Sequence, residues 1–200
     1  MRIVLATRNE DKVREIGEIL SSLPVTLMNL THFPDIPEIV EDGQTFLENA
    51  RKKAMTVHEH TGLASLADDS GLEVEALRGR PGLMSRRFAG PGATYADNNA
   101  LLMEHMKHIP YEARKARFVC VAALVTAAGD VRFTEGDLSG YIAESPGGEG
   151  GFGYDPLFFL PEYGKTVAEL DAEVKNRVSH RAKAMGAMRR VIESMAGAGS

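Results

Sequence analysis

Three carboxylates, Glu41, Asp68 and Asp69, are the side chains of this sequence best suited to act together. Asp68 and Asp69 close an apolar run, and Glu41 stands just ahead of a helical pattern that opens near Thr45. Hard divalent cations such as Mg2+ take oxygen ligands, commonly one or two carboxylates completed by phosphates and water. Neighbouring strand residues point to opposite faces. Asp68 and Asp69 are therefore expected to do different work, one binding metal or activating water while the other orients the loop. The plain alternative is an acidic turn built on Asp69-Ser70-Gly71. Thr7, Asn9 and Lys12 lie where a first strand passes into a first helix. A hydroxyl, an amide and an ammonium there would complete an anion cradle around the free N–H groups of a helix start. The same residues also make an ordinary capped turn, since the glycines of a phosphate-binding loop are missing. Asn49 and Lys53, four apart, share one helical face beside an apolar stripe. Lys53 at that border either reaches a phosphate or snorkels to water.

A second set lies towards the C-terminus. The run Gly147-Gly148-Glu149-Gly150-Gly151-Phe152-Gly153-Tyr154-Asp155-Pro156 permits close backbone approach around a Phe, a Tyr and an Asp. A ring wall with a polar anchor suits a nucleobase; a glycine-rich hairpin is the simpler reading. Lys175, Ser179, His180 and Arg181 stand at the mouth of a last helix, with Ser179 as its expected N-cap. Their donors suit acceptor oxygens on a base or phosphate. His105 with His108, and His58 with His60, lack a companion set of ligands with zinc spacing. Cys120, inside an apolar strand, reads as a packed core thiol.

The elements that must hold these residues follow from periodicity. Residues 3–6 form a short apolar run, and Val13, Ile16, Ile19 and Leu20 then mark one face of a helix. Thr45 and Glu48 have capping-box spacing ahead of the stripe Phe46, Ala50, Ala54 and Val57. Residues 63–67 predict a strand stopped by Asp68-Asp69-Ser70-Gly71. Thr94 and Asp97 open a third helix with Leu101, Leu102 and Met106 inward. Further strands are expected over residues 118–126, 131–138, 141–143 and 157–160. The last helix carries Met185, Met188, Val191, Ile192 and Met195, and residues 196–200 read as a frayed end. Strands interspersed with helices, then strands in succession, predict an α/β fold with a mixed central sheet flanked by helices. No linker or repeat divides residues 1–200, which are taken as one domain.

Composition narrows the partners. Lys and Arg number 23 against 28 Asp and Glu, a net charge of −5 that suits a nucleic-acid binder poorly. Aromatic residues are only 6% with no Trp, which leaves little for base-stacking platforms along a strand. The single cysteine and the absence of a signal-like or membrane-length apolar segment predict a cytoplasmic protein without a membrane partner.

Six blocks in order resemble the inosine/xanthosine triphosphate pyrophosphatase family. They are Ala6-Thr7-Arg8-Asn9-Glu10-Asp11-Lys12, Glu41 through Ala50, Leu66 through Leu72, Pro81-Gly82 with Ser85, Gly150 through Pro156, and Lys175-Asn176 with Ser179-His180-Arg181. The resemblance implies Mg2+-dependent hydrolysis of a non-standard purine nucleoside triphosphate (ITP, dITP or XTP) to the monophosphate and pyrophosphate. It also implies a homodimer and two lobes with the active-site cleft between them. Thr7, Arg8, Asn9, Lys12 and Lys53 would meet the triphosphate; Glu41 and Asp69 would bind the metal. Asp69 would activate water, supported by Asp68 and Lys53. Ser70, Phe152, Gly153, Tyr154, Asp155, Lys175, His180 and Arg181 would line the nucleoside side. The sequence departs from the family pattern at Met84, Arg86, Phe88 and Val174. Competing readings are a pyrophosphatase for modified pyrimidine triphosphates, a nucleotide-sensing binding module, which need not keep a water-activating carboxylate such as Asp69, and an RNA-binding protein.

Overall fold

The computed structural model describes residues 1–197. Seven strands form a mixed sheet in the order β2-β1-β3-β4-β5-β6-β7. β1 (Arg2–Leu5) pairs in parallel with β2 (Thr26–Met28) on one side and β3 (Ala64–Val74) on the other. Parallel neighbours need a crossover. α1 (Glu10–Leu20) provides one between β1 and β2, and α2 (Phe46–Thr61) leads into β3. β4 (Lys115–Val125) and β5 (Val131–Ile142) follow, and β5, β6 (Phe158–Leu160) and β7 (Lys165–Thr166) are joined antiparallel. The expected α/β class with a mixed sheet holds.

The described chain divides into two compact units. One comprises Met1–Asp69, Cys120–Gly136 and the segment that begins at His180; the other comprises Ser70–Val119 and Asp137–Ser179. In the first unit the strands bury both faces. Ile3 and Leu5 of β1, Leu66 of β3 and Cys120, Ala122 and Leu124 of β4 pack with Ile16 and Leu20 of α1. Met185, Met188 and Ile192 of α5 (His180–Gly197) close that layer. The alternating residues Val4, Ala6, Ala67, Val121, Ala123 and Val125 turn the other way, onto Ala50, Ala54 and Val57 of α2. Each large aliphatic side chain buried in this way is worth about 1.5–3 kcal/mol. In the second unit Leu102 and Met106 of α3 (Tyr95–Met106) pack with Leu72, Phe118, Leu157 and Phe158. The Phe118 and Phe158 rings lie 4.4 Å apart.

The helix starts are chemically marked. Asn9 accepts from the Asp11 and Lys12 amides at the head of α1. Thr45 accepts from the Glu48 amide at 3.1 Å, but Glu48 reaches back to the Gln44 amide at 2.7 Å, one residue beyond the box the spacing predicts. Thr94 and Asp97 form the complete box.

Several expectations are corrected. β3 does not stop at Asp68 but continues to Val74. The polar stretch stays extended because buried cations and amides meet the carboxylates, which outweighs their turn preference. The strands expected at residues 131–138 and 141–143 are one, β5. Gly140 does not break it: a Cβ there would strike the Phe159 carbonyl and the Phe158 ring, so glycine permits a close approach. Ser179, expected at the head of the last helix, has an extended backbone; it ends the short α4 (Ala172–Val178) and directly precedes α5. β2, β7 and α4 carry no strong periodic signal and were not anticipated. α5 reaches Gly197; the rest of the frayed end expected at residues 196–200 lies outside the described residues. No helix among the described residues is long and apolar enough to cross a membrane.

Gly136 of β5 lies against α5 so closely that a Cβ would meet the His180 carbonyl and the Ala184 amide, which are backbone atoms. Gly136→Ala is expected to lower stability by about 1–3 kcal/mol. Gly17→Ala, inside α1 with nothing within reach of the added carbon, should raise it by about 0.5–1 kcal/mol. Urea unfolding midpoints compare the two.

Candidate active site

Strand register sets the first half of the site. Leu5 pairs with Leu66, and the Ala6 amide donates to the Leu66 carbonyl at 2.8 Å. Asp68 and Asp69 therefore fall just past the carboxyl end of β1, where the chain leaves through Thr7 into α1. β1 also separates β2 from β3, so strand order reverses here. Open parallel sheets bind ligands at such a reversal, beyond the strand carboxyl ends.

Alternation along β3 sends the two aspartates into different surroundings. The Asp68 carboxylate is fully buried, 3.0 Å from Lys12 Nζ. Its Oδ2 also accepts from Arg181 Nη2 at 3.0 Å and Nε at 3.2 Å, while Arg181 Nη1 donates to Glu15 Oε2 at 2.8 Å. Burial alone would lower the Arg181 pKa, but Asp68 and Glu15 hold the guanidinium above its ordinary value. Cys120 Sγ lies 3.9 Å from Asp68 Oδ2, packed in the core as expected.

Asp69 faces α2. Asn49 Nδ2 donates to its Oδ2 and Lys53 Nζ to its Oδ1, both at 3.1 Å. The same Nζ lies 2.6 Å from Glu41 Oε1. One ammonium thus joins two carboxylates, leaving them at most two contact lengths apart. Asn49 Oδ1 accepts from the Gly43 amide at 2.8 Å, which fastens the segment carrying Glu41 to the same helix. Burial pushes the Asp69 carboxyl pKa up, and Lys53 and Lys12 only partly offset it. Burial would also raise Glu41, but Lys53 outweighs it and holds that carboxyl below its usual range. Burial works to neutralise Lys53, yet Asp69 and Glu41 keep its pKa above the ordinary value.

Around this core Thr7 Oγ1 accepts from the Asn9 amide at 3.1 Å, and the Arg8 guanidinium donates to the Ile36 carbonyl at 2.8 Å. Among the described residues no three His, Cys, Asp or Glu side chains converge as a metal cage. A pair of carboxylates sharing a cation is nevertheless a donor set that Mg2+ accepts when phosphate and water supply its remaining oxygens. Glu41 and Asp69 fit that requirement.

The second unit holds the glycine-rich loop. Gly151 adopts φ +70°, and a Cβ there would collide with the Asp155 carboxylate. Asp155 Oδ2 accepts from the Phe152 amide at 2.8 Å and from Lys175 Nζ at 2.6 Å. Lys175 Nζ also lies 4.8 Å from the centroid of the Phe152 ring. Tyr154 is buried, and its hydroxyl donates to the Ser85 carbonyl at 2.8 Å; burial pushes its pKa up. Ser70 is half-buried, whereas His180 is buried at the start of α5.

The first unit thus brings Lys12, Glu41, Lys53, Asp68, Asp69 and Arg181 together, and the second brings Phe152, Asp155 and Lys175 together. Arg181, expected beside the nucleoside, donates to Asp68 and Glu15. Glu15 and Asn99 were missed. Each sits on the apolar face of its helix, Glu15 beside Ile16 and Asn99 three residues before Leu102, and a polar residue within such a stripe was the available signal.

Comparison with known proteins bears on what this arrangement does. A profile described as the Ham1 family matches residues 3–191. A dITP/XTP pyrophosphatase of Geobacter sulfurreducens is 52% identical over 188 residues, covering 94% of each chain. Its counterpart in Thermus thermophilus is 52% identical over 189 residues, covering 94% of this chain and 90% of the relative. Among solved structures, a HAM1 protein from Coxiella burnetii matches with a TM-score of 0.88 at 40% identity, over 97% of this chain and 99% of that one. The Ham1 protein of Staphylococcus aureus matches with a TM-score of 0.87 at 33% identity, over 98% and 100%.

Replacing Arg181 tests the buried network directly. Arg181→Met leaves Asp68 and Glu15 as buried anions that have lost their shared cation, and should cost about 3–5 kcal/mol. Arg181→Lys restores charge without the fork and should fall between the two. Chemical denaturation of the three proteins reads the order.

Proposed function

The chain belongs to the Ham1 family and is a nucleoside-triphosphate pyrophosphatase of the dITP/XTP class; we propose that it cleaves ITP, dITP and XTP through attack of water at the α-phosphorus. The bond from that phosphorus to the bridging oxygen breaks, releasing pyrophosphate and leaving the monophosphate. The observation that carries the reading is the single Lys53 ammonium held between Glu41 and Asp69 beyond the end of β1.

Such a transfer needs charge neutralisation and in-line placement more than covalent catalysis. A Mg2+ held by Glu41 and Asp69 would supply charge neutralisation at the phosphates. Asp69 accepts the proton of the attacking water. Asn49 donates to its Oδ2 and so fixes the second oxygen. Lys53 holds both carboxylates and, with Lys12, offers positive charge to the polyphosphate. Thr7, Arg8 and Asn9 present the α1 start to the same group. Asp68 keeps Lys12 and Arg181 in place.

The base is assigned to the loop of the second unit. Phe152 offers a ring face, and the Asp155–Lys175 pair holds it, Asp155 through the Phe152 amide and Lys175 over the ring. Gly153 and Tyr154 shape the loop, and Ser70, His180 and Arg181 complete the nucleoside side. A 6-oxo acceptor would satisfy donors there that the amino group of adenine leaves unpaired. Mismatches of that kind discriminate by up to about 10⁴–10⁵. The cleft between two lobes, the homodimer and the cytoplasmic setting implied by the resemblance belong to this same reading.

With dITP and Mg2+, the products should be dIMP and pyrophosphate. In H2(18)O the label should enter dIMP, as mass spectrometry would show; label in pyrophosphate overturns attack at the α-phosphorus. Chelation by EDTA should abolish turnover. Asp69→Asn should lower kcat about 10²–10⁴-fold while dITP still binds, measured by steady-state kinetics and calorimetry.

A further inference from the structure

Resting on the assignment of Phe152 to the base, we propose that Tyr95 is a positioning residue for purine recognition, setting the plane of the Phe152 ring from α3. One stripe of α3 carries Tyr95, Asn99, Leu102 and Met106, at the three- and four-residue spacing of a single helical face. Its lower half is immobilised: Leu102 and Met106 have no exposed surface and pack with Tyr154, Leu157 and Phe158. Its upper half continues onto the glycine-rich loop. Asn99 Nδ2 donates to the Gly153 carbonyl at 3.0 Å, next in the chain to Phe152. Asn99 Oδ1 is buried and accepts no hydrogen bond among the described residues. A buried acceptor left in that state is unfavourable, so what the Asn99 side chain contributes here is its bond to the loop.

Tyr95 then meets the ring itself. The two centroids lie 6.0 Å apart at an interplanar angle of 40°, within the range where tilted aromatic pairs attract. Lys175 Nζ lies 4.8 Å from the same Phe152 centroid, so the ring is located by a cation and by a second ring. Tyr95 is the first residue of α3, behind the Thr94 capping box, which makes its backbone a firm base. At 38% exposure it adds little to the core, and losing its ring should not unfold the unit.

The test is a double-mutant cycle with dITP, in which Tyr95→Leu, Tyr95→Phe, Phe152→Ala and the Tyr95→Leu/Phe152→Ala double variant are assayed by steady-state kinetics. Tyr95→Leu should raise KM about three- to tenfold, the worth of one aromatic pair, while kcat and the thermal midpoint hold. Tyr95→Phe should restore the wild-type KM. Once Phe152 is gone, Tyr95→Leu should add nothing further. Inhibition by inorganic triphosphate, which has no base, should be equal in all variants. Additive effects, or a Tyr95→Leu that alters triphosphate inhibition as much as dITP binding, overturn the role of Tyr95 and leave that of Phe152 standing. An unchanged KM in Phe152→Ala overturns the base assignment, and the inference falls with it.

Discussion

A carboxylate without access to water, that of Asp68, governs how the first unit is assembled. An ion in that position survives only if cations and hydrogen bonds replace its hydration. Lys12 comes from α1 and Arg181 from α5, and Glu15 returns from α1 to take the remaining arm of the guanidinium. The two helices also share an apolar layer over β1, β3 and β4. Apolar contact alone is tolerant of sliding, because hydrophobic attraction has little direction. The fork of Arg181 is directional, and it sets the register of α1 against α5. A network of this kind adds little net stability over an apolar substitute. What it contributes is a defined geometry at the end of β3.

The neighbouring residue shows how sharply one peptide bond can separate two environments. Asp68 is locked by two cations, whereas Asp69 shares one ammonium with Glu41 and receives an amide from Asn49. The pKa values of Asp69 and Glu41 are consequently driven in opposite directions, although the same lysine touches both. Carboxylates pushed apart in this way are suited to separate tasks. In the proposed reaction both would hold the metal, and Asp69 alone also takes the proton of the attacking water. Lys53 keeps the pair from repelling each other before any substrate arrives.

Much of this was legible in the residues. The alternation rule foretold that Asp68 and Asp69 would diverge, and the four-residue spacing of Asn49 and Lys53 put both on one helical face, from which both meet Asp69. Thr94 with Asp97, and Asn9 at the head of α1, marked helix starts because capping chemistry is local. What stayed hidden depended on contacts far along the chain. The extension of β3 through Asp68-Asp69-Ser70 relies on a lysine 16 residues away and an arginine 113 residues away. Tertiary partners there overruled a turn preference that is sound by local rules. The burial of Arg181 escaped for the same reason: Glu15 stands 166 residues from it. The short elements β2, β7 and α4 were missed because two to seven residues hold too little periodicity to register.

Gly136 has a consequence for how this sequence can drift over time. Most tight contacts in a protein are between side chains, and a bulkier residue on one side can be accommodated by a smaller one on the other. Here the facing atoms are the His180 carbonyl and the Ala184 amide. No substitution at either residue removes them. Every alternative to glycine is larger, so no second change can rescue the first without moving the helix that carries His180 and Arg181. Lineages descending from this chain are free to vary much of the surface of α5, but its seat on β5 is a position from which there is no neutral path.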